Sequence, residues 1–149
     1  MDDQRPMGDR DPLTTFFVRY GDALASGNLP GISSCYDVPA LVVHDRGAMA
    51  IDSRRQVEDA FDGAAEVHRA AGLVAARPTV LTVEPLTDVP AIANVYWDYC
   101  DAEGRSREQD GYRYLLRYTA GGPLIQVVVE TPPARSASAP QVIDDPSPS

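Results

Sequence analysis

Residues 19–47 read RYGDALASGNLPGISSCYDVPALVVHDRG, and the order of elements in that stretch decides the fold. Arg19-Tyr20 and Ala23-Leu24 complete an amphipathic helix that Gly27 stops, since glycine accepts the left-handed conformation at a helix end. Upstream, Asp11 suits an N-cap and Pro12 the first helical position. Leu13, Phe16, Phe17, Tyr20 and Leu24 then repeat at helical spacing. A second, short helix is expected over Leu29 to Tyr36, stopped by Pro39. Ala40 to His44 is apolar and suited to a strand, Asp45-Arg46-Gly47 reads as a turn, and Ala48 to Ile51 as a short return strand.

Working outward, Ser53 with Gln56 three residues on is a capping box. It opens a third helix whose apolar face runs through Val57, Ala60, Phe61, Ala64, His68 and Ala71 to Gly72. The rest is strand-like: Pro78 to Leu86, Ala91 to Cys100, Gly111 to Thr119 and Leu124 to Thr131. Turns at Ala102-Glu103-Gly104 and Gly121-Gly122 separate the last three. Helices followed by a meander of long strands make an α+β domain, not the alternation that builds a doubly wound sheet. Residues 1–11 read as a flexible tail, 12–131 as the domain, and 132–149, with five prolines and four serines, as a disordered tail.

With 149 residues, 44% hydrophobic and 23% charged, the chain can bury a core without disulfides or a structural metal. Its formal charge of −9 argues against binding nucleic acid or an anionic membrane through general electrostatics. All 13 basic residues are arginine, so Schiff-base chemistry on a lysine is excluded. No apolar run reaches the roughly 20 residues of a membrane span, and the acidic N-terminus lacks a signal-peptide core. Cys35 and Cys100, without a CxxC partner, read as reduced thiols, and the expected location is the cytoplasm. Phosphate-loop, dinucleotide, zinc-protease and nucleophile-elbow motifs are absent, and no metal or organic cofactor is expected.

A strongly curved sheet around a long helix leaves a cone whose mouth is an apolar pocket. In Gly111 to Thr119, Arg113 and Arg117 alternate with Tyr112, Tyr114, Leu116 and Tyr118. The arginines belong to solvent, so the tyrosines should line the cone. Phe16, Tyr96, Asp98 and Tyr112 are the expected ligand contacts.

Arg19-Tyr20, Ala23-Leu24, Gly27, Leu29, Gly31-Ile32 and the strand that ends at His44 with Gly47 three residues later resemble the NTF2-like superfamily, within it the steroid isomerases and SnoaL-type cyclases. The strand-rich second half agrees in order and length, so the resemblance covers nearly all of residues 12–131. It implies an NTF2-like cone. It also implies roles: Tyr20 stands where the ketosteroid isomerases place an oxyanion donor, His44 where they place the aspartate base, and Tyr114 where a protonated aspartate donates. One position of three is retained, which implies the pocket rather than steroid isomerisation itself.

The residues present remain usable. An imidazole exchanges its proton close to neutrality, so His44 serves as general base. Tyr20 and Tyr114 stabilise a developing enolate oxygen. Asp98 and Tyr96 either orient the imidazole or the ligand, or, for Asp98, answer Arg113 or Arg117 at the surface. The expectation is a small-molecule-binding protein of this type that acts as a cofactor-free isomerase, cyclase or dehydratase on an apolar carbonyl compound. The alternative is a non-catalytic ligand-binding or interaction module, a homodimer through the sheet face around Ile125 to Val129.

Overall fold

The computed structural model describes residues 5–131, with side chains described for residues 12–131. The expected tail at residues 132–149, and residues 1–4, lie outside the described residues. Helix α1 spans Arg5–Ser26 and α2 Leu29–Ser33. Strands β1 (Tyr36–His44) and β2 (Gly47–Ile51) form a hairpin, followed by α3 (Arg54–Phe61) and α4 (Ala64–Ala70). Strands β3 (Ala75–Pro85), β4 (Pro90–Cys100), β5 (Ser106–Thr119) and β6 (Gly122–Thr131) complete one six-stranded sheet, in the order β2-β1-β6-β5-β4-β3. Every pairing is antiparallel except β1 with β6. This is the expected α+β architecture. None of the described helices is long and apolar enough to cross a membrane.

The apolar stripe of α1 sits where its periodicity puts it: Leu13, Phe16, Phe17 and Tyr20 are buried, and Leu24 packs against the same core. Gly27 ends the helix at φ +74°. The helix begins seven residues before Pro12, which therefore lies inside it rather than at its first position, and residues 5–11 are helical where a tail was expected. Proline removes one backbone bond there without stopping the helix, because the chain on either side keeps helical geometry.

Two other expectations give way. Tyr36 is not the end of a helix but the first residue of β1, and Pro39 lies within that strand. A proline cannot donate to the ladder, and the β1–β6 register shifts across this segment, between Tyr36 and Leu41. The third helix is two helices, parted at Gly63 with φ +88°. Ser53 caps α3 as expected: its hydroxyl accepts from the Gln56 N–H at 3.2 Å, while the Gln56 side chain accepts from the Asp52 N–H at 2.5 Å. The β4–β5 turn is held by Asp101, whose carboxylate accepts the N–H groups of Glu103 and Arg105.

Helix α1 lies on the concave face of the sheet and approaches it at Gly21. A Cβ there would meet the Ala76 carbonyl oxygen at 2.6 Å and the Trp97 ring at 2.8 Å. Backbone and a fully buried indole cannot move aside cheaply. Gly21→Ala is therefore expected to cost about 1–3 kcal/mol by overpacking, read by urea denaturation; an unchanged midpoint would contradict this close approach.

Candidate functional site

Burial alternates along β4: Ala91, Ala93, Val95 and Trp97 face α1 and are buried. On β5, Tyr114 and Leu116 do the same, with Tyr112 half-buried beside them and Arg113 and Arg117 exposed. The tyrosine side of β5 thus faces inward, as its alternation with arginine requires. Between this face, the end of α1 and the pair α3–α4 lies a cavity of about 360 Å³. Its floor is a cluster of buried rings. The Tyr20 and Tyr36 hydroxyls share a hydrogen bond of 2.5 Å. The Trp97 indole N–H donates to the Tyr114 hydroxyl at 2.9 Å.

Hydrogen-bond capacity is informative here. An indole N–H only donates, so Tyr114 accepts from it and keeps its own proton. Of the two protons on Tyr20 and Tyr36, one is used between them. Two hydroxyl protons are thus left without an acceptor among the described residues. Burial raises all of these phenols: Tyr20 and Tyr114 stand well above their ordinary value, and Tyr36 is raised too, so each is neutral and able to donate at pH 7.

The other end of the cavity carries its ionisable groups. Asp110 of β5 lies opposite Trp97 in the register and lines the cavity. Tyr99 lines the cavity beside it. His68 of α4 tilts over the Tyr99 ring, centroids 5.4 Å apart, and lines the cavity as well. Burial raises the Asp110 carboxyl above its ordinary value; Tyr99 opposes this, Glu130 and Glu108 add to it, and His68 opposes it. Burial also pushes Tyr112 up to about 12.

Among the residues singled out from sequence, Tyr20, Tyr112 and Tyr114 meet in this cavity. Phe16 is buried between Phe17 and Tyr20 and borders a separate recess with Arg19 and Cys35 instead. His44 does not join them. It is exposed at the end of β1, where its Nδ1 accepts from the Arg46 N–H at 3.2 Å, because the hairpin turn carries the strand end past the covered part of the sheet. Tyr96 and Asp98 fall on the opposite face from Trp97, one residue out of phase, and line no part of the cavity. Asp98 accepts from the Ser106 hydroxyl at 2.7 Å, and Arg117 approaches Asp37 rather than Asp98, at 3.6 Å.

Sequence reading missed Tyr36, His68 as a cavity residue, Tyr99 and Asp110. Extending the β5 alternation two residues before Tyr112 would have found Asp110.

A family profile described as NTF2-like protein (DUF6841) matches residues 10–133. The fold is similar to that of an NTF2-like protein with a cystatin-like fold from Novosphingobium aromaticivorans, at 20% identity over 95% of this chain and 92% of that one, TM-score 0.67. It is also similar to an NTF2-like protein of unknown function from Shewanella oneidensis, at 12% identity over 82% and 98%, TM-score 0.64. A nuclear transport factor 2 (NTF2-like) superfamily protein from Salmonella enterica is similar at 12% identity over 90% and 94%, TM-score 0.57. At these identities the likeness is one of fold. No curated protein matches in sequence.

The raised carboxyl has a consequence for stability. A group whose folded value lies above its unfolded one contributes stability that is full below the unfolded value, 3.8 for Asp, and lost as pH rises through the folded value. At neutral pH the Asp110 carboxylate therefore opposes folding. Asp110→Asn, which stays neutral, is expected to melt above the parent protein at pH 7, with the gain vanishing toward about pH 3. A lower melting temperature for the variant at pH 7 would contradict this placement.

Proposed function

Because the chain belongs to the NTF2-like protein family (DUF6841), whose cone it forms, we propose that it binds a small, largely apolar carbonyl compound and moves a proton on it without a cofactor. The observation that carries this reading is the pair of hydroxyl protons left over at the cavity floor, one on Tyr114 and one on the Tyr20–Tyr36 pair. Buried donors without acceptors are costly, about 1–3 kcal/mol each, and a ligand oxygen seated there would satisfy both.

His68 takes the role of base that sequence reading gave to His44. Its imidazole lines the same cavity and makes no hydrogen bond among the described residues. In an isomerisation, cyclisation or dehydration it would take a proton from a carbon in conjugation with the carbonyl, at its own end of the cavity. The C–H electron pair then forms a carbon–carbon double bond, and the oxygen gains negative charge against the two hydroxyl donors. The proton returns from His68 to another atom of the same compound, so that no oxidant or metal is required. Free thiols at Cys35 and Cys100 suit the reducing cytoplasm, where we place the protein.

A thermal-shift panel of steroids, polyketide-like aromatics and terpenoid ketones tests this, because a ligand of the folded state raises its melting temperature. The expected result is a hit whose shift falls in Tyr114→Phe, read against that variant's own ligand-free value. Where the hit is turned over, His68→Asn should abolish turnover and leave binding within roughly tenfold, as a base acts mainly in the transition state. A panel without a hit would overturn the reading.

The second reading, a module that pairs with its own copy, is favoured by the outer face of the sheet. Strand pairing aligns Ala50, Leu41, Val127, Leu115 and Ile92 in one apolar row across five strands. Of the segment first singled out, Ile125 and Val128 are buried inward and only Val127 and Val129 can serve. A homodimer through this row is expected to fall apart on Leu115→Glu, measured by sedimentation equilibrium; a parent protein that is monomeric at high concentration would contradict it.

A further inference from the structure

Among the described residues, seven phenyl, phenol and indole side chains line the cavity, together with the His68 imidazole and one carboxylate, that of Asp110, and no arginine. The walls near Asp110 are the faces and edges of Trp97, Tyr99 and Tyr112, with Tyr36 and Phe61 across the cavity. None of the arginines whose side chains are described reaches this space, and Glu108 and Glu130 add negative charge near Asp110. An anionic ligand would meet uncompensated repulsion in a low-dielectric site. A neutral one would leave Asp110 half-buried with only the Tyr99 and His68 side chains to hold it.

From this arrangement we propose that the ligand is an organic cation, an amine or quaternary ammonium compound, whose charged nitrogen sits among the aromatic rings next to Asp110. Aromatic faces carry negative potential and attract a weakly hydrated ammonium, most strongly where water is excluded. A single carboxylate then neutralises it without bringing a second charge into the cavity. The hydroxyls of the lining tyrosines are raised by burial and stay neutral, so among the described residues Asp110 is the one formal negative charge that lines the site.

This deepens the function proposed above and rests on it, because it assigns the two ends of one ligand. The oxygen lies at the Tyr114 end. The ammonium lies at the Asp110 end, four residues back along the same inward face of β5, about 13 Å by strand rise. An amino ketone of that length satisfies both ends. Asp110 positions the ligand, and His68 is left to transfer the proton.

The test is a titration of the purified chain, followed by calorimetry at neutral pH, with phenyltrimethylammonium and with its uncharged carbon isostere, tert-butylbenzene. The two differ only in charge, so their ratio isolates the electrostatic contribution. Phenyltrimethylammonium is expected to bind more tightly by roughly tenfold or more. In Asp110→Asn the ratio should collapse toward one while tert-butylbenzene binding stays within about twofold. Tert-butylbenzene binding as tightly as the cation in the parent protein would overturn the proposal and leave the ligand pocket standing. An unchanged ratio in Asp110→Asn would overturn the role of the carboxylate. Binding of neither probe would overturn this proposal and the pocket reading together. Should the variant fail to fold, the ratio in the parent protein decides by itself.

Discussion

Trp97 is held on three sides at once. Its indole N–H donates to the Tyr114 hydroxyl at 2.9 Å, its ring lies against Gly21 of α1, and Phe17 and Tyr20 meet it edge-on at 6.3 and 6.0 Å. Helix α1 can come this close only because position 21 has no side chain. The closeness in turn aligns Tyr20 with Tyr36 and seals one end of the cone. Edge-to-face aromatic contacts add about 0.5–1.5 kcal/mol each beyond their buried area. A hydrogen bond in this setting adds about 1 kcal/mol. The hydrogen bond is the smaller contribution, yet it fixes the direction of the Tyr114 hydroxyl and leaves its proton for a ligand.

The cavity therefore has two chemically distinct ends on one strand face. The floor holds neutral hydroxyls in a dry cluster of rings, suited to an oxygen that gains charge. The mouth holds a carboxylate raised by burial, an imidazole tilted on Tyr99, and an acidic surround from Glu108 and Glu130. Burial raises the Asp110 carboxyl, and ligand-binding clefts are a common setting for carboxylates shifted in this way.

How much of this was legible in the sequence follows from the type of signal each residue carries. The α1 stripe and the tyrosine side of β5 could be read because apolar periodicity survives in them: Leu13, Phe16, Phe17 and Tyr20 repeat at helical spacing, and arginine alternates with tyrosine from 112 to 118. Asp110 is hidden because Glu108-Gln109-Asp110 is polar and precedes the strand expected from Gly111, and a strand that opens onto a pocket mouth has no apolar face there to mark it. Tyr36 is hidden by Pro39, which reads as a helix stop but lies within β1, where the register slips. His44 and Asp98 show the opposite failure. Both are chemically suitable and next to the right elements, but one residue of phase or one turn of hairpin moves each away from the cavity.

Trp97 is the only tryptophan in the chain, so its indole N–H gives a single resonance at the floor of the cone. Titrating the isotopically labelled protein with 2-acetonaphthalene, an apolar ring system carrying one carbonyl oxygen, and following that resonance tests directly whether the cone is a ligand site. The account requires the indole peak to move and saturate as the oxygen reaches the Tyr114 hydroxyl, with a weaker response in Tyr114→Phe. An indole peak that stays in place up to the solubility limit of the ketone would contradict it.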